Sequence, residues 1–269
     1  MLGSSRDSLA ACQEGLDARR REAGFAQLAG ELFAVAGILD DEGPLTTTLA
    51  DSGQPQSVRN GLVQQLFAGK VSDLAVDVLL MVVDRRWSSA ADLLMAIELL
   101  ADQAVFTVAE SDGTLDATEE ELFRFGRALD ASSALQMALT DPSQPSEAKS
   151  AVVRDLLSGR STSATAQVLS YAVGHLHGRR IDSVVDDLCT LAAQQRERVV
   201  AEVKVAAPLD EAQTRRLADA LTRLKGRTVR LNVAVDPSVL GGVHVKIGDE
   251  VIDGTVSTRM EQARRALLG

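Results

Sequence analysis

The feature that most limits what this chain can fold into is an internal repeat at a constant offset of 90 residues. Glu31-Leu32-Phe33 recurs as Glu121-Leu122-Phe123, and Leu39-Asp40 as Leu129-Asp130. Asp51, Gln54, Pro55 and Leu66 meet Asp141, Gln144, Pro145 and Leu156 without a gap. Gly69-Lys70 meets Gly159-Arg160, and Val78-Leu79 meets Val168-Leu169. Beyond these the offset widens to 94, which sets Arg85-Arg86 against Arg179-Arg180. Matches spread over so long a stretch mean two copies of one structural unit. Two copies are too few for a solenoid, so a tandem of small bundles is expected.

The repeated unit reads as helical. Leu9, Cys12 and Leu16 fall at helical spacing over residues 8–22, and Leu28, Leu32, Val35 and Ile38 form one stripe over 25–39. Gly43-Pro44 then breaks the chain. Residues 73–83 and 90–108 are strongly apolar helices, the second carrying Leu93, Ile97, Leu100 and Ala104. The turn-forming run Ser111 to Asp116 marks the boundary between copies. The first copy opens with a helix at 6–22 that has no counterpart in the second. Either the second bundle is shorter, or the long helix before it supplies the missing piece.

From Val199 the period changes. Val199, Ala201, Val203 and Val205 alternate as in a half-buried strand, and Val229, Leu231, Val233 and Val235 as in a second. Between them Asp210-Glu-Ala-Gln213 has the form of a capping box before a helix face of Leu217, Ala220, Leu221 and Leu224, with Gly226 as its exit. Two short strands, 243–247 and 250–252, are hinged at Gly248-Asp249 as a hairpin. Val256, Met260, Ala263 and Leu267 form a closing helix. The expected fold is therefore mainly α with a small α/β C-terminal unit: tandem helical bundles at 1–112 and 113–197, then a βαβ-hairpin-α domain at 198–269.

Composition narrows the function. Aromatics are 3% of the chain, so the cores must be built from Leu, Val and Ala. Net charge is -10, and residues 197–269 hold 12 Lys/Arg against 10 Asp/Glu, leaving 16 against 28 for the rest. That acidic body disfavours nucleic acid and suits a basic partner segment. Cys12 and Cys189 lack metal-ligand spacing and read as free thiols of a reducing compartment. Met1 to Asp7 has no basic start before an apolar core, so no secretory signal is expected. No apolar run approaches the roughly 20 residues of a bilayer span, so any membrane attachment runs through a partner.

None of the chemistry-bearing residues forms an expected catalytic, metal or cofactor site. His175 and His177 point about 200° apart if helical, and no third ligand lies near in sequence, so they read as chance histidines at a helix end. Gly241, Gly242, Gly248 and Asp249 fit neither a P-loop nor a dinucleotide fingerprint and read as turn residues. Asp249, Glu250 and Asp253 lack calcium-loop spacing and read as a solvated loop. Arg19-Arg20-Arg21 and Arg264-Arg265 complement helix C-termini. Leu9 and Leu16 with Leu74, Val78 and Met81 form stripes that could stay open as a groove for a partner helix. Charged substitutions at Leu74 or Val78 are then expected to weaken partner binding without unfolding the chain.

The C-terminal run resembles the signature of the delta subunit family of F-type ATP synthases, the oligomycin-sensitivity-conferring proteins. The resemblance is carried by Pro208-Leu209, Lys225-Gly226, Val235-Asp236-Pro237-Ser238-Val239, Gly241-Gly242, Gly248-Asp249 and Ile252-Asp253-Gly254-Thr255-Val256. Most members have Ser where Thr255 stands, and most have one bundle where this chain has two. The resemblance implies a non-catalytic stator subunit of the peripheral stalk at the cytoplasmic face of a bacterial membrane. It implies that a groove between the bundle's first and fifth helices binds N-terminal segments of the alpha subunits, with the beta subunits as a second candidate, and that the C-terminal unit binds subunit b. No cofactor, nucleic acid or direct membrane insertion is implied. Two other classes remain: a helical adaptor unrelated to ATP synthase, and an enzyme or ligand sensor whose α/β tail binds a small molecule.

Overall fold

The computed structural model describes residues 3–141, 143–197, 199–225, 229–236, 239, 242–247 and 250–253. The chain divides into two compact units, Met1–Gln195 and Arg196–Gly269.

The first unit is all helix: α1 (Ser4–Arg19), α2 (Phe25–Asp41), α3 (Gly43–Ala50), α4 (Gln56–Phe67), α5 (Asp73–Val83), α6 (Ala90–Ser111), α7 (Leu115–Ala131), α8 (Ser133–Thr140), α9 (Ser146–Leu157), α10 (Ser163–Gly174) and α11 (Ile181–Glu197). Helices α2 to α5 begin 90 residues before α7 to α10, one for one. Gly43-Pro44 does end α2, but it also opens α3, because a proline in a first turn has no hydrogen bond to lose. The match of Arg85 to Arg179 at an offset of 94 holds in space: Arg85 bonds Cys12, and Arg179 acts on Asp102, which stands 90 residues after Cys12. Helices α6 and α11 start 91 residues apart, so the two arginine pairs sit at different distances from the helices they precede.

The repeat extends to single atoms. Glu31 accepts from the Ser72 amide at 2.9 Å, and Glu121 from the Thr162 amide at 2.9 Å. Ser72 and Thr162 are the N-caps of α5 and α10, each accepting from the amide three residues on at 3.2 Å. A carboxylate from α2 or α7 thus pins the cap of α5 or α10 in the two copies, and satisfies donors that helix starts leave orphaned. Glu31→Ala and Glu121→Ala are expected to cost similar amounts, about 1–2 kcal/mol each. Urea melts of the two variants check this, and unequal costs would mean the two latches are not equivalent. Gly69 and Gly159, just past α4 and α9, take φ of 75° and 67°, the left-handed exit that glycine adopts without strain.

Helix α6 resolves what the second copy lacks. Shifting α1 by 90 residues lands on 94–109, inside α6, so one helix closes the first copy and opens the second. Its sequence suits both tasks, since Leu93, Ala96, Ile97, Leu100, Ala101, Ala104, Val105 and Phe106 bury all sides of it. It packs on α1, α2, α3 and α5 and also on α7 and α10. A single hydrophobic core accordingly runs through both copies.

The series stops after two. Gly30, Ala34 and Gly37 give α2 a small-residue face beside Phe33, whose ring stacks with Tyr171 of α10 at 4.2 Å between centroids. The same positions of α7 are Glu120, Phe123, Arg124 and Arg127, and Glu120 pairs with Arg124. Charged side chains stand there in place of the small ones, and Phe123 is 61% exposed.

In the second unit β1 (Val199–Val205), α12 (Glu211–Lys225), β2 (Val229–Val235), β3 (Val243–Ile247) and β4 (Glu250–Asp253) form a sheet of order β2-β1-β3-β4. Strands β1 and β2 are parallel; β3 runs antiparallel to β1 and to β4. Val203, Val205, Leu221, Val229, Val245 and Ile247 form its core. The capping box is reciprocal, with the Asp210 amide donating to Gln213 at 3.0 Å and the Gln213 amide to Asp210 at 2.7 Å. Gly242 takes φ 83°, and the register Ile247↔Glu250 leaves two residues between β3 and β4, as the hairpin reading requires. Gly226, Gly241, Gly248, Asp249, Gly254 and the expected closing helix lie outside the described residues.

Candidate functional site

The seam between α1 and α5, named as a partner groove from the sequence, is closed. Leu16 and Val78 are fully buried and Leu74 nearly so; only Leu9 and Met81 reach the surface. Gly15 lets the helices meet, since a Cβ there would overlap the Met81 sulfur. Ser8 donates to the Arg86 carbonyl at 2.8 Å, and burial pushes the Cys12 thiol up to about 11. The reading of Leu16 and Val78 as open positions is therefore corrected: the stripe is core. A charge at Val78 would be buried without a partner and would unfold the copy rather than spare it.

The equivalent seam of the second copy is open. Adding 90 to the five candidates gives Leu99, Phe106, Ala164, Val168 and Tyr171, on α6 and α10. Phe106 and Val168 are core like their counterparts. Leu99 and Tyr171 instead line a cavity of about 340 Å³ between α6, α10 and α11, with Gln13 of α1 also in its wall. Met95, Val184, Leu188 and Leu191 supply more of its apolar wall; Glu98 and Asp102 stand where the first copy has Ser8 and Cys12.

The polar side of this cavity ties the copies together. Tyr171 donates to Glu98 at 2.8 Å, and the His177 Nε2 lies 2.8 Å from the same oxygen. The other His177 nitrogen faces Asp40 of α2 at 3.4 Å. His175 stacks on the Tyr171 ring at 4.1 Å. His175 is the C-cap of α10, and His177 follows in the loop with φ 49°. The two are thus neither helical nor chance: leaving the helix is what lets His177 reach Glu98. Among the described residues no group of three or more His, Cys, Asp or Glu side chains is placed to hold a metal.

Titration follows from this geometry. The hydrogen bond to Glu98 raises the His177 pKa against the opposing effect of burial, with Glu98 and Asp40 adding to the rise and Arg179 opposing it. Burial, then the Glu98 charge, hold the Asp102 carboxyl well above the ordinary aspartate range, against Arg179. Both shifts have the same sign for stability. The His177 contribution is full below its unfolded value of about 6.5 and is lost as pH rises through the folded value; for Asp102 the loss begins above about 3.9. The His177 contribution to the stability of the helical unit is expected to fall as pH rises above about 6.5 through its raised folded value. Urea midpoints across that range check this, and His177→Gln should flatten the slope.

Sequence reasoning missed Glu98, Asp102 and the role of His177. The repeat held the signal for the cavity, because the 90-residue shift carries Leu9 and Met81 onto Leu99 and Tyr171. Of the C-terminal signature, Asp253 pairs across the hairpin with His244, which is a structural place. Arg19 donates to the Gly15 carbonyl at 2.8 Å, in keeping with its reading as a helix-end cation.

Comparison with known proteins follows the same division. A profile of the ATP synthase delta (OSCP) subunit family matches residues 101–267, which starts within α6 and takes in the second copy and the C-terminal unit. The ATP synthase subunit delta of Streptomyces avermitilis is 42% identical over 98% of both chains. Those of Streptomyces griseus and a Parafrankia species are 40% identical over 100% of both and 42% identical over 99% of both. These relatives span the first copy as well. The chain belongs to the ATP synthase delta (OSCP) subunit family.

Proposed function

We propose that this chain is a non-catalytic peripheral-stalk subunit of an F-type ATP synthase, held peripherally at the cytoplasmic face of the membrane. The observation that carries this reading is the match over nearly its whole length to subunits named ATP synthase subunit delta. The chain links the N-terminal segments of the alpha subunits to subunit b and resists rotation of the catalytic ring while the central shaft turns. Among its described residues no helix is long and apolar enough to cross a membrane, which fits attachment through a partner.

The groove implied by the resemblance lies between the bundle's first and fifth helices. In the second copy those are α6 and α10, and the cavity there is the candidate alpha site. An amphipathic helix laid against Met95, Leu99, Leu188 and Leu191 gains roughly 25 cal/mol per Å² of apolar area buried, less the cost of ordering it. A second attachment through the C-terminal unit raises the effective strength without new contacts at the first.

The test is to pull the tagged chain from gently solubilised membranes and identify what accompanies it. Alpha, beta and b subunits are expected with the native chain, whereas Leu99→Glu should lose the head subunits by at least tenfold and keep b. Recovery of none of them from membranes with intact synthase would leave the adaptor reading in its place.

A further inference from the structure

The cavity between α6, α10 and α11 holds two carboxyl groups, and the chain supplies bonded partners to one of them. Glu98 and Asp102 lie one helical turn apart on α6 and both face into it. Glu98 has Tyr171 and His177 as partners. No hydrogen bond reaches the Asp102 carboxyl among the described residues, and burial disfavours its charged form. The nearest cation, Arg179, gives one guanidinium nitrogen to Asp187 at 3.1 Å, while its Nε is buried without a partner. The first copy shows what a self-sufficient seam looks like. There the same two positions are Ser8 and Cys12, both neutral, and the seam is filled by the chain itself. A closed seam with Ser8 and Cys12 at these positions and an open one with Glu98 and Asp102, built from the same repeat, differ as a core differs from a docking surface.

We propose that the helix filling this groove presents a lysine or arginine side chain to Asp102 while its aliphatic face covers Leu99 and Leu191. This rests on the reading of the groove as the alpha-subunit site and names the chemistry of its occupant. An arriving cation compensates both carboxylates in a space with little water, where charge pairs are strongest. It also gives the site selectivity. An apolar helix without the cation would bury Asp102 more deeply and leave it unpaired, which is costly.

The test titrates a labelled synthetic peptide, the N-terminal segment of the organism's own alpha subunit, onto the full-length chain. Asp102→Asn, nearly the shape of the protonated acid, is expected to bind it about tenfold or more weakly than the native chain. A peptide with its basic residues replaced by methionine should lose a similar factor against the native chain and little further against Asp102→Asn. That substitution leaves the protein untouched, so it holds even if the variant folds poorly. Native and Asp102→Asn chains binding within twofold of each other would overturn the inference and leave the alpha reading standing. Absence of any binding by the native chain, or equal binding by Leu99→Glu, would overturn the alpha site and the inference with it.

Discussion

Replacing Phe106 by alanine is expected to cost the helical unit about 3–5 kcal/mol and to destabilise both copies in one transition. Phe106 is fully buried in the C-terminal half of α6, the helix that closes the first copy and opens the second. Its removal leaves a cavity that walls from both copies would have to collapse to fill. The chain carries its own probes, with one tryptophan and one tyrosine. Trp87 is buried in the first copy, its indole donating to the Val82 carbonyl at 2.8 Å, and Tyr171 belongs to the second. Urea titrations followed by Trp87 fluorescence and by Tyr171 near-ultraviolet absorbance should superimpose, in native and Phe106→Ala chains alike. Separate midpoints would mean that the copies are independent domains and that the continuous core does not couple them.

Glu98→Ala is expected to cost about 2–3 kcal/mol at neutral pH, below the full value of a deeply buried pair because the His177 side chain is 24% exposed. The variant strands the Tyr171 hydroxyl and leaves His177 with Asp40 alone. Two effects should follow together. The urea midpoint drops, and its decline as pH rises above about 6.5 becomes shallower, since the carboxylate that raises the His177 pKa is gone. A variant as stable as the native chain at pH 6 would show that the link from Glu98 to His177 contributes nothing to holding α6 against α10. Loss of stability with an unchanged pH slope would assign the cost to Tyr171 instead.

Much of this molecule is legible in its residues because the interactions that define its elements are local. The alternation of Val199 to Val205 marks a strand, Asp210 and Gln213 cap a helix three residues apart, and Ser72 and Thr162 cap helices at matching points of the repeat. Each depends on neighbours within a turn or two. The family signature is similarly compact, a string of turn glycines and short strands. The arginines matched at an offset of 94 keep equivalent places, Arg85 against Cys12 and Arg179 against Asp102, although the helix starts after them are 91 residues apart.

The groove and the end of the repeat were not legible, for one reason. A stripe of leucines and valines announces that a helix face will be covered, but not by what. Leu16 and Val78 are covered by each other's helices, whereas Leu99 and Tyr171, at matching stations of the second copy, are left beside a cavity. Glu-Leu-Phe occurs twice with the same local structure. The first phenylalanine is buried beneath Tyr171, and the second is 61% exposed. Periodicity and caps thus determined which segments are helix and which strand, and the 90-residue repeat determined that there are two copies. Burial belongs to partners about a hundred residues away in sequence, and only the tertiary structure decided where the chain covers itself and where it leaves room for another.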